Sequence, residues 1–235
     1  MHTLKRPWTN LILAPIWFLI VIVAGSIYFG AQGIREAEIP AKITENTPTL
    51  ILVVQVLLLA TLLYTAPKDG FNIFKNGWTS DKSKLPADIF GGLITGAGLA
   101  TLYIYVFSPM QSYLQHTLGD YVPAGETMTA LGQQTLPFFI ANVLFAPFVE
   151  ESLYRNYALT RFLEKYSASK SVIITTIMFG LLHWVGGFWY VLMTGLLVGL
   201  PFAIIAIRRQ NIIWVFVAHL TLNLLEFMHI TFSAP

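Results

Sequence analysis

Apolar residues fall in seven blocks along the chain, at about 10–30, 49–67, 88–108, 134–154, 170–187, 188–207 and 211–232. The blocks are continuous rather than alternating, which excludes a transmembrane β-barrel. A spanning helix needs roughly 20 mostly apolar residues, at 1.5 Å each, to cross about 30 Å of hydrocarbon. The pattern therefore predicts an all-α polytopic membrane bundle of about seven transmembrane helices. The first block follows Lys5 and Arg6 in the manner of a secretory signal. Its apolar run is long and no small-x-small cleavage site follows, so it reads as a retained helix.

Composition agrees with a lipid solvent. Of 235 residues 55% are hydrophobic and 11% charged, with a mean hydropathy of +0.65. A soluble domain carries about a quarter charged residues. Disorder and a secreted disulfide scaffold are excluded, and a net charge of +2 gives no basis for a nucleic-acid partner. The absence of cysteine removes thiol catalysis and Cys-bearing metal sites.

Charge fixes an orientation. Twelve of the 14 Lys and Arg fall at the N-terminus or in alternate connections: Lys5, Arg6, Lys68, Lys75, Lys82, Lys84, Arg155, Arg161, Lys165, Lys170, Arg208 and Arg209. Only Arg35 and Lys42 lie on the other side. Basic loops stay cytoplasmic, so the N-terminus is expected in the cytoplasm and the C-terminus outside. No repeat or soluble domain interrupts the chain. Residues 1–133 are expected to form three N-terminal helices with their loops, and 134–235 a four-helix core. Gly92 with Gly96, and Gly195 with Gly199, would let the third and sixth helices approach their neighbours closely.

A charge in hydrocarbon costs at least about 2.5–3.5 kcal/mol on insertion scales. The residues needing a reason are Glu150, Glu151, Arg155, His183, His219, Asn223 and Glu226. Residues four apart on a helix share a face, so Glu151 can pair with Arg155. Glu150, turned about 100° away, is left for other work. Pro147 removes a backbone donor and should bend the helix just before these carboxylates. Around a turn near residues 166–167, Glu150 and His183 sit at similar distances along two antiparallel arms, which brings them level. His219, Asn223 and Glu226 share one face of the last helix. Carboxylate and imidazole facing a water can take its proton. A second imidazole and an amide can donate to the oxyanion formed on a carbonyl.

At these residues the sequence resembles the CPBP family of intramembrane proteases, which includes CAAX prenyl endopeptidases and bacterial relatives linked to bacteriocin processing or self-immunity. Its motifs Glu-Glu-x-x-x-Arg, Phe-x-x-x-His and His-x-x-x-Asn are matched by Glu150, Glu151 and Arg155, by Phe179 and His183, and by His219 and Asn223. The resemblance covers about residues 134–231. It implies peptide-bond hydrolysis within the membrane: Glu150 and His183 activate water, His219 and Asn223 hold the oxyanion, and Glu151–Arg155 is a structural ion pair. The implied partners are the lipid bilayer and a membrane-associated peptide or protein, and the implied location is a bacterial inner membrane.

Such proteins are often labelled metalloproteases. Glu150, His183 and His219 could ligate zinc or another divalent metal by type. The chain lacks the His-x-x-x-His spacing that fixes two ligands on one helix face, and the physical reading favours a metal-free mechanism. Two other readings stay open: a non-catalytic scaffold or immunity protein using the same cavity for binding, and a proton-coupled transporter. Glu226 has no assigned role; it could raise the basicity of His219 or snorkel outward with His229. His2 and His116 read as loop residues, and Trp184, Trp189 and Tyr190 as packing or interfacial aromatics.

Overall fold

The computed structural model describes residues 4–78, 82–122 and 132–233. His2 lies outside them. Every apolar block is helical, and no strand occurs among the described residues. The elements are α1 (Lys5–Ala31), a short α2 (Ile39–Glu45), α3 (Thr47–Asp69), α4 (Leu85–Leu118), α5 (Thr135–Leu163), α6 (Ala168–Leu182), α7 (Phe188–Arg209) and α8 (Ile213–Ser233). Six of them are long and apolar enough to cross a membrane. The chain is an integral membrane protein.

The fifth predicted span, 170–187, is shorter than its apolar block. Helix α6 has 15 residues, about 22 Å at 1.5 Å per residue, and ends at His183. Gly187 breaks the run with a φ of +99°, a conformation open to glycine and little else. Residues 184–186 then form one tight turn before α7. Irregular backbone at membrane depth is tolerated where it lines a cavity, and this turn does so.

The other departures have similarly local causes. Helix α4 runs on past the apolar block to Leu118, so His116 is helical rather than in a loop. Pro147 sits between two π-helical stretches, Phe139–Phe145 and Glu151–Ala158. Wider turns of this kind recur where the regular ladder is interrupted and at functional sites.

Small residues set the closest helix contact. A Cβ on Gly92 would meet the Trp214 carbonyl at 2.7 Å, and one on Gly96 would collide with the Ala218 carbonyl. Helix α4 consequently lies flush on α8. Gly195 and Gly199 likewise face the Thr176 carbonyl of α6, at 3.5 and 3.3 Å from an added Cβ. Apolar side chains such as Ile20, Ile27 and Phe90 are left exposed for lipid.

One end of the bundle is locked by polar contacts. Asp69 accepts from Arg6 and, at 2.5 Å, from the Tyr157 hydroxyl, while its carbonyl accepts from Arg161. Asp88 accepts from Arg209 at 2.6 Å and Asn211 at 3.1 Å. Asn156 donates to the Asn76 carbonyl at 2.6 Å. These contacts gather the N-terminus and the second, fourth and sixth connections at the same end, as the distribution of basic residues requires.

Candidate active site

The opposite half of the bundle holds a cavity of about 550 Å³. Glu150, His183, His219 and Asn223, from α5, the end of α6 and α8, all line it. Each is held in a way that follows from its own helix.

Glu150 is 4% exposed. Its Oε1 accepts from Gln55 Nε2 at 2.7 Å, and its Oε2 has no partner among the described residues. A buried carboxylate oxygen without a donor is rare and calls for an explanation. Glu151 Oε2 is likewise without a partner among the described residues, and of the two residues Glu150 is the one that lines the cavity.

Glu151, turned away as the helix geometry predicts, is fully buried. Its Oε1 accepts from Arg155 Nη1 at 3.1 Å and from His219 Nδ1 at 2.7 Å. The expected ion pair is thus also the support for His219. Arg155 lies with its guanidinium 4.1 Å from the Phe179 ring centroid, and Nη2 reaches the Val198 and Gly199 carbonyls at 3.4 Å. Arg155 belongs to this buried network and not to a loop, which leaves 11 basic residues for the polar end.

The Phe-x-x-x-His spacing has a direct physical use. His183 follows Phe179 by one turn, and its Nδ1 lies 2.9 Å from the Phe179 carbonyl. A carbonyl can only accept, so Nδ1 carries the hydrogen and Nε2 of the neutral ring is the acceptor. The same Phe179 packs its ring against His183 at 4.9 Å and Tyr154 at 5.2 Å between centroids. Asn223 Nδ2 donates one hydrogen to the Asn142 carbonyl at 2.7 Å, which leaves a second N–H on the amide.

Some cavity residues carried no usable signal in the sequence. Gln55 is a single amide in the apolar α3, yet it holds Glu150. Tyr103 and Tyr190 line the cavity beside Glu226, and the Tyr190 ring meets His183 edge-on at 5.7 Å. Glu226 faces the cavity too, whereas His229 is exposed and lies against Tyr105; the two do not snorkel together. Trp184 lines the cavity and donates Nε1 to the Pro15 carbonyl at 3.1 Å.

A strap closes over the turn after His183. Asp120 accepts from the Phe188 amide at 2.8 Å and the Trp189 amide at 3.3 Å. The Tyr121 hydroxyl donates to the Trp184 carbonyl, and Trp189 Nε1 donates to the Gly119 carbonyl at 2.9 Å. Partial desolvation alone would raise the Asp120 carboxyl, but the Phe188, Trp189 and Tyr121 amides and Gln115 outweigh it and hold it below the ordinary value.

Residues 132–225 match the family model described as type II CAAX prenyl endopeptidase, Rce1-like. The match spans every motif residue from Glu150 to Asn223, in line with a CPBP family protease and with a membrane protease role in general. No curated protein and no solved structure matches the chain. Within the Rce1-like segment the donor set for a metal does not assemble: among the described residues no three His, Asp or Glu come close enough to hold an ion. The bond from His219 Nδ1 to Glu151 leaves the other ring nitrogen, Nε2, uncommitted.

Proposed function

We propose that this protein is an intramembrane endopeptidase that hydrolyses peptide bonds of membrane-associated peptides or proteins. The observation that carries the reading is the state of Glu150: one oxygen tethered by Gln55, the other unpartnered at a cavity it shares with two imidazoles and an amide.

Water seated between Glu150 Oε2 and His183 Nε2 gives up a proton to the carboxylate as its oxygen attacks the substrate carbonyl. The carbonyl oxygen becomes an oxyanion. The free N–H of Asn223 donates to it, and His219, as the imidazolium, donates from Nε2 while Nδ1 stays on Glu151. Glu151 accepts from both Arg155 and His219 and so fixes the orientation of the ring. Collapse of the intermediate breaks the C–N bond, and the proton held by Glu150 passes to the leaving amine. Each step uses only side chains of this chain. The metal-free form of the mechanism is part of the proposal, and activity that survives exhaustive chelation is its expected result.

General acid–base groups contribute about 10²- to 10⁴-fold. Glu150→Ala and His183→Ala should each cut cleavage by at least about 100-fold, with membrane insertion and thermal stability retained. Comparative proteomics of cells carrying wild type or Glu150→Ala checks this: one or more membrane-associated polypeptides should persist uncut in the variant. A cellular phenotype that survives both substitutions would instead fit the scaffold or immunity reading.

A further inference from the structure

The cavity is confined to one half of the bundle. Every helix that lines it does so only from the half away from the basic loops. Helix α1 contributes from Phe18 onward, α3 no further than Gln55, α4 from Tyr103 onward, α5 no further than Glu150, α7 no further than Val198, and α8 from His219 onward. The rim includes residues of the connections at that end: Ile43 and Thr44 of α2, Tyr121 and Val122 of the strap, and the turn at 184–186.

The other end is shut. Below the catalytic residues lie the Asp69 cluster with Arg6, Tyr157 and Arg161, and the Asp88 pair with Arg209. Between them Trp78 packs on Phe148 and Phe216 at 5.7 and 5.0 Å, and the Gly77 carbonyl accepts from the Ile212 amide at 2.9 Å. A polypeptide would have to break several buried charge-assisted contacts to reach Glu150 from there.

Orientation then decides the side. Eleven basic residues sit at the shut end, against Arg35 and Lys42 at the open end. Both of those are paired with neighbouring acids, Glu38 and Glu45. The Lys and Arg bias places the shut end in the cytoplasm.

We infer that the cavity opens on the extracytoplasmic face of the membrane, and that it receives a polypeptide segment presented at that face. The chemistry of the walls fits such a segment. Ile22, Ile51, Leu182 and Leu222 supply an apolar lining, and no Lys or Arg among the described residues lines it, while Glu150 and Glu226 do. Glu150 and Glu226 are thus not offset by a Lys or Arg in the lining, so the occupant is apolar and neutral or cationic. The nature of the occupant rests on the protease reading; the side of the opening does not.

The chain has no cysteine, so single cysteines report cleanly. Thr44→Cys at the rim, Ile51→Cys in the cavity wall and Lys165→Cys in the α5–α6 turn are treated in intact cells with a membrane-impermeant sulfonated thiol reagent. Thr44→Cys and Ile51→Cys should label before permeabilisation and Lys165→Cys only after it. Leu50→Cys replaces Ile51→Cys if that variant does not accumulate. Labelling of Lys165→Cys in intact cells, with Thr44→Cys silent, overturns the assignment of the side. In a second arm, a library of impermeant dye-quenched apolar peptides is added outside cells carrying wild type or Glu150→Ala. Cleavage by wild type alone, favouring neutral or cationic members, is the expected result. Correct labelling with no cleavage leaves the side standing and overturns the polypeptide occupant.

Discussion

Gln55 and Glu150 come from helices 95 positions apart in sequence and meet at 2.7 Å. Removing the amide leaves the carboxylate with no donor on either oxygen. A hydrogen bond to a charged group contributes about 1.5–3 kcal/mol, so Gln55→Leu should lower kcat by roughly 10- to 100-fold. Because Gln55 acts through Glu150 in this account, KM should move little. A fall carried by KM alone would make Gln55 a substrate contact instead. The carboxylates, Arg155 and both histidines of the site were legible in the sequence because a buried ionisable group needs a compensating reason. A neutral amide carries a smaller penalty, so Gln55 gave no comparable signal. Tyr103 and Tyr190 gave none either, since tyrosine is ordinary at membrane interfaces. The link from Glu151 to His219 was also hidden: i, i+4 spacing shows partners on one helix, whereas this partner lies 68 residues away.

At the scale of elements, the continuous apolar runs located all seven apolar helices but not where each one stops. Helix α6 ends at His183, and the stop goes with Gly187, whose positive φ lies at the end of an apolar block. The polar continuation of α4 to Leu118 has the opposite cause: Gln111 and Gln115 face the cavity, so loss of hydrophobicity did not mark a helix end. Close packing of α4 on α8 gives a test with opposite signs at two nearby positions. A Cβ at Gly96 meets backbone, whereas one at Gly98 meets nothing within 4 Å. Gly98→Ala should stabilise by about 0.5–1 kcal/mol through helix propensity, and Gly96→Ala should destabilise by about 1–3 kcal/mol through overpacking. Thermal unfolding in detergent reads both; shifts of the same sign would show that the α4–α8 contact is looser than described.

The whole molecule divides its polar groups between two tasks. At the basic end, hydrogen bonds among Asp69, Asp88, Arg161 and Arg209 and their partners close the bundle. In the other half, Glu150, His183, His219 and Glu226 line the cavity, and Glu150 Oε2 has no partner among the described residues. A structure concerned only with stability would pair or remove such groups, because a buried unsatisfied polar atom costs about 1–3 kcal/mol. Their retention at one cavity, within a segment that matches an Rce1-like protease model, is what the proposed hydrolysis accounts for.

That claim is tested most directly by the fate of water. Purified wild type and Glu150→Gln are each incubated in detergent with solubilised membrane polypeptides in ¹⁸O-labelled water, and newly formed peptide ends are read by mass spectrometry. New carboxyl termini carrying ¹⁸O with wild type, and their loss with Glu150→Gln, are the predicted result. New termini formed equally by both proteins, or by neither when both remain folded, would contradict hydrolysis by water activated at Glu150.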